Sequence, residues 1–480
     1  MRAWLRALIY ALVLVVLAVV LLWWNLRPVA PLAVPKRGAR LGDVTVIQPG
    51  VARSPHRSLT VEGETIASLG AAGGAPDAFA GHYVLPGLVD AHVHFPPAAL
   101  VGHAELFSFL FLYHGVTSVR DAGDPDGTST GTVRDASRSG EFPAPRVFAC
   151  GPFLDGYPPG QPNSRVLREP ADAEPVVAEL AEAGFDCLKI YNQLEPDVLE
   201  AVRVAARKHG LPTIGHVPWR VPYEDARLDD VQHLTHLPGS PDGLVGYPEV
   251  MERWLQFDDV RLEHVIEATL AHGIANTPTL VTSERRSRMD DLERLREEPD
   301  AQLLPRFWRD VIWSPVEGLS YLRGHSEADS ALLRAALPQM SGAVRALHEA
   351  GAVLRAGTDT PSAFAVPGAA LHRELRLLRD AGISPEEVLA IATRPAVPAG
   401  PAGLGEIRPG APADLVIFRE DPTRDLSALG TLSGVIADGR LYTREALDEQ
   451  LALYRDQFEN PIYDAVMTGL VRRLLSAASD

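Results

Sequence analysis

Val84-Leu85-Pro86-Gly87-Leu88-Val89-Asp90-Ala91-His92-Val93-His94-Phe95 starts apolar and ends in His-x-His. Residues two apart on a strand face the same side. A strand carrying His92 and His94 therefore aims both imidazoles at one spot. Two neutral imidazoles converging on a point suit a borderline metal such as zinc. Taken alone, the motif also fits two solvated or stacked histidines. Here it closes an apolar strand with a Pro-Gly entry, and barrel enzymes keep their chemistry at the C-terminal ends of buried strands.

Downstream, apolar strand-like runs alternate with amphipathic helical stretches. The runs are Val116–Asp121, Arg146–Gly151, Cys187–Tyr191, Thr213–His216, Asp230–His233, Ala275–Leu280 and Val353–Asp359. With the opening strand they make eight. Such alternation implies a parallel sheet, and eight units suggest closure into a (β/α)8 barrel. The stretch from Glu284 to Leu347 is too long for a simple crossover and reads as a packed helical insertion, with a mobile lid as the alternative. Short β-rich segments precede the barrel, at Val44–Ile47, Ser58–Val61 and Ile66–Gly70. Others follow it, at Gly405–Ile407, Ala413–Phe418 and Gly434–Gly439. The chain thus divides into an apolar N-terminal segment (1–27), a Pro-rich linker (28–40), a small β-unit from 41–83 and 404–443, a barrel over 84–403, and C-terminal helices over 444–480.

The N-terminal run Ala7–Trp24 carries no charge and is near the lower length limit for spanning a bilayer, with Trp23 and Trp24 at the interface. It is longer than a usual signal-peptide apolar region and lacks a clear cleavage site, so it reads as an uncleaved signal anchor. The catalytic part is then membrane-tethered and extracytoplasmic; secretion after cleavage is the alternative. Arg27, Lys36, Arg37 and Arg40 dilute the orientation signal. The net charge of −17 argues against nucleic acid as a partner. Cys150 and Cys187 are too few for a disulfide framework; they read as buried free thiols, or as a single bridge in an oxidising compartment.

Other metal-capable groups sit at later strand ends: His216, His233 and Asp359. Asp359 could instead cap a helix. His236 rivals His233, but three residues on it faces the other side of an extended strand. Lys189 lies in an apolar run, where an unpaired ammonium is costly and a free amine is favoured. Its spacing alone fits a snorkelling or ion-paired lysine equally well.

The set PGLVDAHVH (Pro86–His94), GVTSVRDAG (Gly115–Gly123), FDCLKIY (Phe185–Tyr191), GHVP (Gly215–Pro218), AGTDTP (Ala356–Pro361) and IRPGAPADLVIF (Ile407–Phe418) resembles the amidohydrolase superfamily. Within it, the likeness is to the Xaa-Pro dipeptidase-like and imidazolonepropionase-like branch. The resemblance implies a distorted (β/α)8 TIM barrel, with an accessory β-sandwich built from N- and C-terminal segments. It also implies that His92, His94 and Asp359 bind one divalent ion, zinc in the first instance. Lys189 would be carboxylated by carbon dioxide to a bridging carbamate, and His216 and His233 would bind a second ion. Gln232 stands where relatives often carry Glu, and His114 where small residues are common.

The expected chemistry follows from these charges. Two divalent ions acidify a shared water, one polarises the scissile carbonyl, and Asp359 shuttles the proton to the leaving nitrogen. Tyr191 shares strand parity with Lys189; it and Arg120 are candidates for substrate contact, with packing the plain alternative for each. The expected substrate is a dipeptide or N-acyl amino acid. An ester, lactone or phosphotriester is the alternative, because the site and not the barrel decides substrate. A non-catalytic binding protein would have lost a ligand, and none is lost.

Overall fold

The computed structural model describes residues 2–73, 77–124, 129–161, 163–234, 236–239, 247–397 and 400–477. It opens with the helix Arg2–Leu26. Within it, Trp4–Leu26 is unburied and is long and apolar enough to cross a membrane. Strands β1 (Ala39–Gln48), β2 (Ala52–Glu62) and β3 (Thr65–Ala71) follow as an antiparallel meander. Strand β4 (Tyr83–Pro86) then returns beside β1 in parallel.

The opening motif divides at Gly87 between two sheets. Val84–Pro86 belongs to the sheet of β1–β4, whereas Leu88–Val93 forms β5 in a parallel set. At Gly87 the backbone runs so close to Thr117 that a Cβ would lie 1.9 Å from its Oγ1, so only glycine fits the break. β5 pairs with β6 (Val116–Asp121), and β6 with β7 (Arg146–Ala149), all parallel. After a break at Cys150-Gly151-Pro152 the same run continues as β8 (Phe153–Asp155), followed by β9 (Arg165–Val166). Then come β10 (Leu188–Ile190), β11 (Thr213–Gly215), β12 (Asp230–Gln232) and β13 (Ala275–Thr277). The second parallel sheet has the order β13-β12-β11-β10-β8-β9. Segment 353–360 lies between β13 and β5: Asn276 N–H donates to Val353 O (2.9 Å), Ala91 N–H to Ala356 O (2.8 Å) and Asp359 N–H to His92 O (2.7 Å). Nearly all these strand residues are buried, as parallel strands covered on both faces are. Intervening helices are amphipathic; Pro196–His209 buries Val198, Leu199, Val202, Ala205 and Ala206 and ends on Gly210 in the left-handed conformation.

The long stretch after β13 is packed. Trp308 and Trp313 are buried, and the Trp313 indole donates to Pro361 O (2.8 Å), two residues beyond Asp359. Helix Glu327–Glu349 is started by a Ser326/Asp329 capping box. Strands β14 (Leu415–Phe418), β15 (Leu432–Ala437) and β16 (Arg440–Thr443) complete the first sheet in the order β16-β15-β14-β4-β1-β2-β3. The N- and C-terminal segments therefore meet, Ile417 opposite Val84, in one seven-stranded sheet. This is one continuous sheet where a two-sheet sandwich was expected. Irregularities in β1 at Leu41/Val44 and Val44/Val46 let it bend around a core that includes Leu41, Leu59, Val84, Leu415 and Ile436.

The cysteines correct another expectation. Cys150 and Cys187 are buried, but they are joined as a disulfide with Cα atoms 4.3 Å apart, not free thiols. The bridge ties the end of β7 to the start of β10. The C-terminal helices Arg444–Phe458 and Pro461–Ala477 hold the foot of the first helix. Asn460 Nδ2 donates to Asn25 Oδ1 (2.6 Å), Gln457 Nε2 to Arg27 O (2.8 Å) and Gln450 Nε2 to Ala30 O (2.9 Å).

Candidate metal centre

His92 on β5 and His94, the residue just past its end, point to one side, as extended parity requires. Their Nε2 atoms are 3.3 Å apart, and Asp359 Oδ1 is 3.2 Å from each. One donor atom from each of the three residues lies within 4.8 Å of the others. Tetrahedral ligands held roughly 2.0–2.1 Å from an ion stand roughly 3.3–3.4 Å from one another, so these spacings fit a divalent ion with N/O ligands. Asp359 adopts φ 57, which turns its carboxylate toward the pair. Gly357 lets segment 353–360 approach β5: a Cβ there would be 2.9 Å from His92 Cβ and 2.5 Å from Thr277 Cγ2.

Lys189 on β10, His216 after β11 and His233 after β12 face the same space. The His233 ring centroid is 4.5 Å from that of His92 and 4.8 Å from that of His216. Three of the rings are tied at Nδ1: His94 to Gly123 O (2.8 Å), His216 to Asn192 Oδ1 (2.7 Å) and His233 to Thr279 Oγ1 (2.7 Å). Such outer bonds fix ring and tautomer and leave Nε2 free for an ion. Burial, then the charge of Lys189, drives His92 and His216 well below the ordinary imidazole value. Burial brings His233 to about 4. These rings are neutral, the form that binds metal. Burial also works against charge on His94, but Asp359 outweighs it and carries His94 upward. Burial opposes ionisation of Asp359 too, yet His233, His92 and His94 together hold it well below the carboxylate range. Lys189 is buried, its amine is brought down to about 7 by that burial, and Nζ donates to Gln232 Oε1 (2.5 Å).

A family model for the amidohydrolase family matches residues 83–442. The chain belongs to the amidohydrolase family. Among solved structures, a bottromycin amidohydrolase superposes with a TM-score of 0.69 at 26% identity, covering 89% of this chain and 92% of that one. A Xaa-Pro dipeptidase with methionine bound in its active site gives 0.61 at 20% identity, covering 85% and 100%. The A. niger ochratoxinase gives 0.59 at 18%, covering 85% and 96%. The last two, at those identities, speak for the fold. No curated protein matches the chain.

In this amidohydrolase the cluster opens into a cavity of about 500 Å3, lined by Lys189, His216, His233 and Asp359 at its floor and by Phe95, Leu100, Trp308 and Ile312 among its apolar walls. Tyr191 lines it as well, its hydroxyl accepting from Gln161 Nε2 (3.2 Å). Arg120 does not, which corrects the expectation of substrate contact. It is 1% exposed, and its guanidinium donates to Asp230 Oδ2 (2.5 Å), Ala91 O (2.7 Å) and Ala396 O (2.9 Å), a strut between strands. His236 packs against Trp219, ring centroids 4.5 Å apart and tilted by 50°, and does not line the cavity, whereas His233 does. His114 is structural, its Nδ1 bonded to Leu110 O (2.8 Å). Sequence reasoning missed Asn192 and Thr279, the residues that orient His216 and His233. Both sit at the ends of strand runs, next to Tyr191 and two residues after Thr277, where polar groups would be looked for.

Proposed function

We propose that this chain is a metal-dependent amidohydrolase that cleaves a C–N bond in a peptide-like or N-acyl amino acid substrate. The observation that carries the reading is the convergence of His92, His94, His216, His233, Lys189 and Asp359, from five strand ends far apart in sequence, on one cavity floor. We read the two parallel sheets and segment 353–360 as one distorted barrel around that floor, and the seven-stranded sheet as its accessory unit.

His92, His94 and Asp359 would hold one divalent ion; His216 and His233 would hold a second, with Lys189 as a carbamate between them. Ions bound there supply Lewis acidity and a water acidified to near neutral pH. Asp359, kept ionised by the imidazoles around it, accepts the proton of the attacking water and returns it to the leaving nitrogen. Tyr191, whose burial pushes its phenol up to about 12, stays protonated and donates a hydrogen bond to the substrate. The apolar walls exclude bulk water and strengthen each polar contact on the floor.

The buried disulfide and the exposed apolar helix together favour an oxidising, extracytoplasmic site tethered to a membrane. A cleaved signal peptide would put the same domain in that compartment without the tether. The test is metal removal. Chelation should abolish hydrolysis of N-acyl amino acids and dipeptides, and zinc should restore it; full activity in metal-free protein would reject the proposal.

A further inference from the structure

Two cavities share the C-terminal helix Pro461–Ala477. Val471, Leu474 and Leu475 wall the larger one, above the metal centre; Tyr463, Met467 and Leu470 wall a smaller one of about 280 Å3. Leu100 and Val101, neighbours in sequence, face the larger and the smaller cavity respectively. The far wall of the smaller cavity is Leu26 and Val29, where the exposed apolar helix ends. Apolar side chains of one helix therefore line both cavities, one at the foot of Trp4–Leu26 and one at the histidine cluster.

The outer edge of that helix is apolar too. Val466, Leu470 and Leu474, each four residues apart, are 37%, 39% and 38% exposed. Val101 is 69% and Val316 83% exposed. Val316 is held beside the same helix, because the adjacent Glu317 carboxylate accepts from Arg472 Nε (2.9 Å) and Nη2 (3.0 Å). Such contiguous exposed apolar surface marks an interaction site. The attachment selects its occupant. Asn460 is bonded to Asn25 in the last turn of the apolar helix, and Gln457 to Arg27 just beyond it. Trp23, Trp24 and Arg27 are residue types that sit at headgroup level. The surface next to them then lies at the same depth.

We propose that this edge rests on the bilayer that holds the N-terminal helix, and that the substrate is an amide with a long acyl chain entering from the lipid along Pro461–Ala477. The proposal rests on the hydrolase and anchor readings above. Water cleaves the C–N bond; the acyl carbon takes the hydroxyl and the nitrogen takes the hydrogen. The fatty carboxylate returns to the lipid and the amine leaves to water.

The experiment uses the full chain reconstituted in phosphatidylcholine vesicles and offered N-acetyl to N-myristoyl derivatives of one amino acid. kcat/KM should rise about fourfold per methylene until the cavity is filled, the ~0.8 kcal/mol of a buried CH2 converted at ~1.4 kcal/mol per decade. Val316→Glu and Val466→Glu should lower hydrolysis of the N-myristoyl compound about tenfold and leave the N-acetyl compound within about twofold. A fluorophore on Val466→Cys should be quenched by doxyl-labelled lipid. An active enzyme with a flat chain-length profile, or an unquenched label on vesicle-bound protein, overturns the proposal alone. A chain that does not co-sediment with vesicles overturns the anchor reading as well. Failure to cleave any acyl length overturns the hydrolase reading as well.

Discussion

Asn192→Ala tests the second half of the proposed metal centre without touching a donor atom. Asn192 Oδ1 accepts the Nδ1–H of His216 at 2.7 Å, in the part-buried lining of the cavity. Truncation leaves that N–H unpaired away from water, a cost of about 1–3 kcal/mol. At ~1.4 kcal/mol per decade this is a loss of about 5- to 150-fold in affinity, which brackets the 10- to 100-fold range typical of ligand-orienting residues. The loss should fall on one metal equivalent, since His216 neighbours His233 and not the His94/Asp359 side. Asn192 also accepts from Trp219 N–H (2.8 Å), but through its backbone oxygen, which alanine keeps. Metal-stripped protein titrated with zinc against a chromogenic chelator should show one weakened and one unchanged equivalent, and Asn192→Asp should restore the weak one. Two unchanged equivalents, or two weakened alike, would refute the assignment of His216.

Lys189→Ala should lower bound zinc from about two equivalents to about one, measured by atomic emission after dialysis; an unchanged ratio rejects a bridging role. Glu374 is buried, accepts from Leu280 N–H (3.1 Å) and Val281 N–H (2.7 Å), and burial pushes its carboxyl from 4.5 up to about 8. The folded chain therefore keeps a proton that the unfolded chain releases between those values, so stability should fall as pH rises from 4.5 to about 8 and level off above. The full span is on the order of 5 kcal/mol. Urea midpoints at pH 5 and 8 should show the drop and Glu374→Gln should flatten it; identical slopes in the two proteins refute the origin. The Cys150–Cys187 bridge closes a sequence separation of 37, worth about 4 kcal/mol by loop entropy. Reduction should lower the urea midpoint accordingly, and no shift on complete reduction would show that the thiols are free in solution.

Much of the site was legible because strand parity is a strict rule. His92 and His94 face one point, and Lys189 and Tyr191 line one cavity, as residues two apart on a strand must. Arg120 was misread because a charged residue inside an apolar run looks functional whether it meets substrate or a buried partner. Its partner, Asp230, is 110 residues away on a strand not adjacent to its own, and no local pattern announces that. The disulfide was hidden for a similar reason. Cys150 and Cys187 end and begin neighbouring runs, and their closeness depends on the break at Gly151 that hands pairing from β7 to β8. The seven-stranded sheet was legible as pieces, but not its continuity, because the register of β4 against β14 joins residues more than 300 positions apart.

His233 shows where parity fails and why that matters. Asp230 and Gln232 both point inward, to Arg120 and Lys189. In an extended strand His233 would then point outward. It does not, because the backbone turns over at φ 71 and stays left-handed at Leu234 with φ 60. Asp359 reaches the cluster with φ 57, and Thr279, which holds the His233 ring, has φ 49. A non-glycine residue in this region costs on the order of 1–2 kcal/mol. Two proposed ligands and a residue that orients one of them carry that cost at the same floor. The chain uses glycine at helix ends such as Gly210 and Gly273, but Asp43, His56, Arg227, Phe364 and Asp438, none of which lines the cavity, also take positive φ. What sets the floor apart is that three such residues, His233, Thr279 and Asp359, line one cavity, and there the left-handed turn is what aims each side chain at the cluster the proposal uses.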